Sequence, residues 1–170
     1  DFGPFGACPR EIALQPADGK IVVAGTAGSQ IAIARYLSNG SLDTYFGTGG
    51  KVTPPLLINV LAQAIALQSD GKIVVAGLAA DQDSFVVARY TSSGALDASF
   101  GTAGIGFSRT FLPGGPEAHD VAVQSDGKIV VAGRSDNGQF TLVRYNSDGT
   151  LDTSFDTDGI ASTDFGSNDR

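Results

Sequence analysis

The chain has 170 residues, of which 42% are apolar and 17% charged, and it carries a net charge of −7. That composition describes a globular chain, and its acidity excludes the basic face that nucleic-acid phosphates or an anionic membrane surface would require. No apolar run approaches the ~18 residues of a membrane-spanning helix, so no membrane insertion is expected.

In chain order, Asp1-Phe2-Gly3 comes first and reappears near the end as Asp164-Phe165-Gly166. Residue 1 is Asp and Met is absent, which reads as a processed or excised piece in which a signal peptide is neither visible nor excluded. Cys8 is the one cysteine, so no internal disulfide forms. It is expected as a partly buried free thiol, with a bond to another chain as the alternative. Leu14-Gln15 leads into Pro16-Ala17-Asp18-Gly19, where Asp-Gly between apolar runs signals a hairpin. The β-branched block Gly19-Lys20-Ile21-Val22-Val23-Ala24-Gly25 follows, then Arg35-Tyr36, Leu42-Asp43 and Phe46-Gly47. The apolar segment Pro54-Pro55-Leu56-Leu57-Ile58 is expected to pack between repeats or subunits, unless it forms a groove for a hydrophobic partner.

The same order then recurs. Ala64-Ile65-Ala66-Leu67-Gln68 reads as a short strand, Ser69-Asp70-Gly71 as a hairpin and Lys72 to Gly77 as a second strand. A variable loop runs from Leu78 to Ser84. Phe85 to Tyr90 is a third strand, Thr91 to Ala95 a turn, and a fourth strand begins near Ile105, after Leu96-Asp97 and Phe100-Gly101. Phe107 to Pro113 is a second apolar inter-repeat segment. The third copy carries Ser125-Asp126-Gly127, the block ending at Gly133, Arg144-Tyr145 and Leu151-Asp152.

The Arg-Tyr pairs stand roughly 55 residues apart, the signature of one supersecondary unit copied in tandem. Four short meandering strands per unit is the layout of a β-propeller blade. Ile73-Val74-Val75-Ala76 and Phe85-Val86-Val87-Ala88 are continuous apolar runs, as expected of strands covered on both faces. The expected fold is therefore all-β: a β-propeller with three four-stranded antiparallel blades per chain, closed by a second chain or part of a longer array. Residues 1–53, 54–106 and 107–163 are taken as blade-like repeats, and 164–170 as an overhang starting a further repeat.

The motif Leu-Asp-x-Ser-Phe-Gly-x-x-Gly, followed by Ala-Leu-Gln-x-Asp-Gly-Lys-Ile-Val-Val-Ala-Gly and Arg-Tyr-x-x-x-Gly, resembles the delta-60 repeat family. The third copy departs from it at Asp156, where the others have Gly47 and Gly101. The resemblance implies a propeller-type repeat from bacterial secreted or cell-surface proteins, with an extracellular or cell-surface location and a scaffold or adhesion role. It implies no chemistry on particular residues.

Arg35, Arg89 and Arg144, with Asp43, Asp97 and Asp152, occur once per copy and are expected as structural ion pairs or turn caps within each blade. The segments that differ between copies fall together on one face of a meander, where a rigid scaffold carries recognition. Asp81, Asp83, Arg134, Asp136 and Asn137 are the candidate ligand-binding residues there, against the alternative of merely solvated loops. Asp156-Thr157-Asp158-Gly159 resembles a fragment of a calcium loop but lacks the closing Glu. Lone His119 and lone Cys8 make no catalytic triad or zinc set. No metal, cofactor or catalytic residue is expected. The expected function is a non-enzymatic scaffold or adhesive module. A glycan-binding propeller is the alternative, and a fragment of a propeller hydrolase the second alternative. Its expected partners are a second copy or further repeats of the same protein, a glycan or a surface protein.

Overall fold

The computed structural model describes residues 6–53, 56, 58–81, 83–135 and 138–166. Asp-Gly turns set the rhythm of the chain. Gly19, Gly71 and Gly127 take a positive φ, and the preceding Asp18, Asp70 and Asp126 each accept the N–H of the Lys two residues on. A short polar side chain bonding its own backbone, followed by a residue free to adopt φ > 0, reverses the chain within a few residues.

These turns join the first two strands of each repeat. The first sheet holds β1 (Ala7–Leu14), β2 (Ile21–Ala27), β3 (Gln30–Tyr36) and β4 (Lys51–Val52). The second holds β5 (Val60–Leu67), β6 (Ile73–Ala79), β7 (Ser84–Tyr90) and β8 (Phe107–Phe111). The third holds β9 (Glu117–Val123), β10 (Ile129–Ser135), β11 (Gln139–Tyr145) and β12 (Ile160–Thr163). Every sheet is an antiparallel meander in sequence order. Three four-stranded sheets from three repeats are the blades of an unclosed propeller.

The second blade lies between the other two and shows why its strands carry no alternation. Ile73 and Val75 join the core shared with the first blade, while Val74 and Ala76 join the core shared with the third. Val86 and Ala88 likewise face back, and Phe85 and Val87 face forward. Every residue of β6 and β7 is buried. In the third blade β10 and β11 alternate between buried and more accessible positions, whereas in the first blade β3 is buried from Ile31 to Arg35. Continuous apolar runs therefore mark strands covered on both sides, as β6 and β7 of the middle blade are throughout.

Each Val-Ala-Gly block faces a β-bulge in the inner strand of its own blade, at Pro9/Glu11, at Ala62/Ala64 and between Ala118 and Asp120. The bulge swings a backbone carbonyl inward. A Cβ on Gly25, Gly77 or Gly133 would lie 2.0–2.3 Å from the carbonyl oxygen of Cys8, Leu61 or Glu117. Only glycine fits there.

Three details differ from the sequence reading. The blade boundary at 106/107 moves, because Phe107–Phe111 pairs with β7 and completes the second blade. A 3-10 turn at Thr102–Gly104 delays that fourth strand beyond Ile105. The loop placed at Leu78 to Ser84 is shorter, because β6 continues to Ala79 and β7 begins at Ser84.

Candidate functional site

Two charged arrangements stand out, and they lie in different parts of the blades. The first repeats in every copy. Arg35 Nε lies 2.9 Å from Asp43 Oδ2, Arg89 Nε 2.8 Å from Asp97 Oδ2, and Arg144 Nε 2.7 Å from Asp152 Oδ2. The Lys of each Gly-Lys-Ile-Val block reaches the same carboxylate oxygen: Lys20 at 3.3 Å, Lys72 at 3.5 Å and Lys128 at 2.8 Å. The guanidinium carbons sit 4.4–4.5 Å from the ring centroids of Phe46, Phe100 and Phe155. The other Asp oxygen caps the following turn, accepting from the N–H of Tyr45, Ser99 or Ser154 and from the hydroxyls of the two serines.

This cluster also joins one blade to the next. Arg35 Nη1 donates to the Ser92 carbonyl at 2.6 Å, and Arg89 Nη1 donates to the Ser147 carbonyl at 2.5 Å. The backbone repeats the link, with Gly47 N–H donating to Ser93 O and Gly101 N–H to Asp148 O. Phe46 and Phe100 lie against Gly94 and Gly149 of the following blade, where a Cβ would come within 3 Å of their rings.

The electrostatics follow from this geometry. Burial pushes the Asp97 carboxyl up. The Ser99 hydroxyl and N–H and the Arg89 guanidinium outweigh that and hold it down to about 2. Asp43 is lowered in the same way: Tyr45 N–H, Lys20 and Arg35 overcome burial. Asp152 is lowered chiefly by Lys128, then by Ser154 and Arg144. Sequence reasoning pairs each Arg with its Asp but misses the Lys and the Phe. Their recurrence in Gly-Lys-Ile-Val and Phe-Gly is the signal that would find them.

The second arrangement lies on the rim where the copies differ. Arg109 Nη2 contacts Asp81 Oδ2 at 2.5 Å and Asp83 Oδ1 at 2.6 Å, and its Nε donates to Ser84 Oγ at 2.8 Å. The same guanidinium lies 4.5 Å from the Phe111 ring centroid. The Ser84 hydroxyl and Arg109 hold the Asp83 carboxyl below its usual range. On the third blade, Arg134 Nη2 reaches Glu117 Oε1 at 2.5 Å, and His119 Nε2 lies 3.7 Å from Glu117 Oε2. Of the five candidate ligand-binding residues, Asp81 and Asp83 are thus brought together on Arg109. Arg134 stands apart on its own Glu. Asp136 and Asn137 lie outside the described residues.

The remaining candidates are quickly placed. Cys8 is an exposed free thiol rather than a partly buried one, because it lies in the stretch of β1 whose residues are exposed. Asp158 Oδ1 accepts Ile160 N–H in a local turn. Among the described residues no group of three His, Cys, Asp or Glu side chains is placed to hold a metal ion. Leu56 and Leu112, from the two apolar inter-blade segments, are buried in the cores between blades. Pro54, Pro55 and Leu57 lie outside the described residues. The inner hairpins of all three blades line an open cavity of about 1400 Å³ that includes Gln15, Gln68 and Gln124.

A family model described as "Domain of unknown function (DUF5122) beta-propeller" matches residues 17–46, 68–100 and 124–155. The chain belongs to this family. Each matched DUF5122 segment begins at the Asp-Gly hairpin and reaches the Phe of the cluster, so each contains one complete Lys, Arg, Asp and Phe set. The residues outside the segments hold the inner strands β1, β5 and β9 and most of the inter-blade connections. No curated protein matches the chain.

Proposed function

We propose that this DUF5122 chain is a non-enzymatic scaffold or adhesive module of the delta-60 repeat kind, acting outside the cell or on its surface. The observation behind this reading is the division of its charged side chains. The set that every copy shares forms an ion pair within its blade and, in the first two copies, fastens that blade to the next, which is a structural task. The charges that differ between copies, Asp81 and Asp83 on Arg109 and Arg134 on Glu117, lie at the strand ends where the copies differ, the usual place for recognition on a scaffold. A protein partner is the first reading. The exposed Phe111 beside Asp81 and Asp83 favours a glycan as the second, since an aromatic face next to polar groups suits a sugar ring.

Beads carrying the chain should bind a panel of purified cell-envelope or matrix proteins. The combined Asp81→Asn, Asp83→Asn and Arg134→Ala variant should bind at least tenfold less while unfolding at nearly the same denaturant concentration. Binding that survives the triple substitution contradicts the rim as the site. A signal confined to a glycan array selects the second reading.

A further inference from the structure

The inner strand of each blade carries one residue more than its neighbour pairs, and that residue is polar every time. Register passes from Pro9 to Glu11, from Ala62 to Ala64 and from Ala118 to Asp120, which leaves Arg10, Gln63 and His119 as the inserted residues. In the middle blade both flanking residues belong to cores. Ala62 joins the core shared with the first blade, and Ala64 the core shared with the third. Gln63, between them, joins neither. A bulge re-aims the side chain of its extra residue, and with both faces of the sheet taken the direction left is its unpaired edge.

That edge is common to the three blades. β1, β5 and β9 each end their sheet, and β1 packs on β5 and β5 on β9. At their hairpin ends the same strands border the open cavity of about 1400 Å³. Arg10 is exposed, Gln63 half-buried and the His119 side chain mostly exposed. Both gaps that the three residues span, first blade to second and second to third, lie inside the chain.

This edge already accepts carboxylates. Two residues past its bulge, the N–H of Ile65 donates to Glu11 Oε2 at 2.6 Å, across the gap from the first blade. The equivalent N–H of Val121 donates to Asp120 Oδ1 at 2.7 Å. Glu117, the other acid near the third bulge, is held by Arg134. The acids beside the bulges thus have their donors. The inserted side chains are differently placed: among the described residues Arg10 and Gln63 have no hydrogen-bond or ion-pair partner, and His119 meets Glu117 at 3.7 Å. All three carry N–H donors.

We propose that the three bulges form a binding site on the inner edge of the blades for a small organic acid with two or more carboxylates. Arg10 takes one carboxylate with two parallel donors of its planar guanidinium. The Gln63 amide and the His119 ring donate to the next. A ligand with several carboxylates is required because the donors come from three successive blades. The inference does not rest on the function proposed for the rim.

The test is calorimetric titration of citrate into the 170-residue chain at low ionic strength. Citrate should bind saturably, with a Kd below about 1 mM. Arg10→Ala should weaken it at least tenfold, and Gln63→Glu, which sets a like charge against the ligand, should abolish it. Both are exposed or half-exposed positions, and circular dichroism checks that each variant folds. Lys51→Ala, on the outer strand β4 of the first blade, should bind as the unaltered chain does. In the amide spectrum, the shifts on adding citrate should centre on Arg10, Gln63 and His119. No heat and no shift at about 10 mM citrate overturns the proposal. So does citrate binding that survives both Arg10→Ala and Gln63→Glu, or that Lys51→Ala weakens as much as they do. Inorganic phosphate or acetate binding as tightly as citrate overturns the polycarboxylate as the ligand.

Discussion

Arg89 shows what one residue does in this architecture. Its guanidinium holds Asp97, covers Phe100 and donates across to the third blade, and its side chain is buried. Removing one member of a buried, hydrogen-bonded pair leaves the other charge without compensation. Arg89→Ala should therefore cost about 3 kcal/mol in urea unfolding. Arg134→Ala, which breaks an exposed pair with Glu117, should cost less than about 1 kcal/mol. The aspartates give the second prediction. Asp97 titrates at about 2 in the folded chain, below an unfolded value of about 4. Its contribution is present above pH ~4 and is lost as pH falls through about 2. Asp43 and Asp152, lowered in the same direction, act together with it. A urea midpoint flat from neutral pH down to about 4 and falling steeply below it is the expected profile. The pairing of Arg with Asp is legible in the sequence because both recur once per copy. The bond from Arg to the next blade is not, because its acceptor is a backbone carbonyl and carries no side-chain signature.

At the scale of the element, the recurring glycine after Val-Ala belongs to a strand and not to a turn. The sequence shows that glycine three times, and nothing in the inner strands marks the bulge that demands it. The bulge appears only in the register, where Ala62 and Ala64 flank a residue without a partner on β6. The strand thus runs on past its glycine, and the variable loop is shorter than composition suggests. Gly77→Ala should lower stability by about 3 kcal/mol, because the new methyl group meets the Leu61 carbonyl and backbone has little room to move. Gly40→Ala should cost only about 1 kcal/mol, the penalty of its left-handed backbone, since a Cβ there would meet nothing within 4 Å. Chemical denaturation of both variants beside the unaltered chain checks the contrast.

The whole molecule is a stack of equivalent sheets, and that much follows from the period and from the unbroken apolar runs of the middle copy. The difference between the blades does not. Val74 and Val130 occupy the same place in nearly identical blocks, yet one is fully buried and the other partly open, because burial is decided by a neighbouring blade. Stability is accordingly expected to be greatest in the middle of the stack. The most direct test is native-state hydrogen exchange on the unaltered chain. Amides of Ile73–Ala79 and Ser84–Tyr90 should exchange only through global unfolding, and those of Ile129–Ser135 and Gln139–Tyr145 through smaller openings at lower free energy. Equal protection across all three blades, or faster exchange in the middle one, would contradict the face-to-face stack.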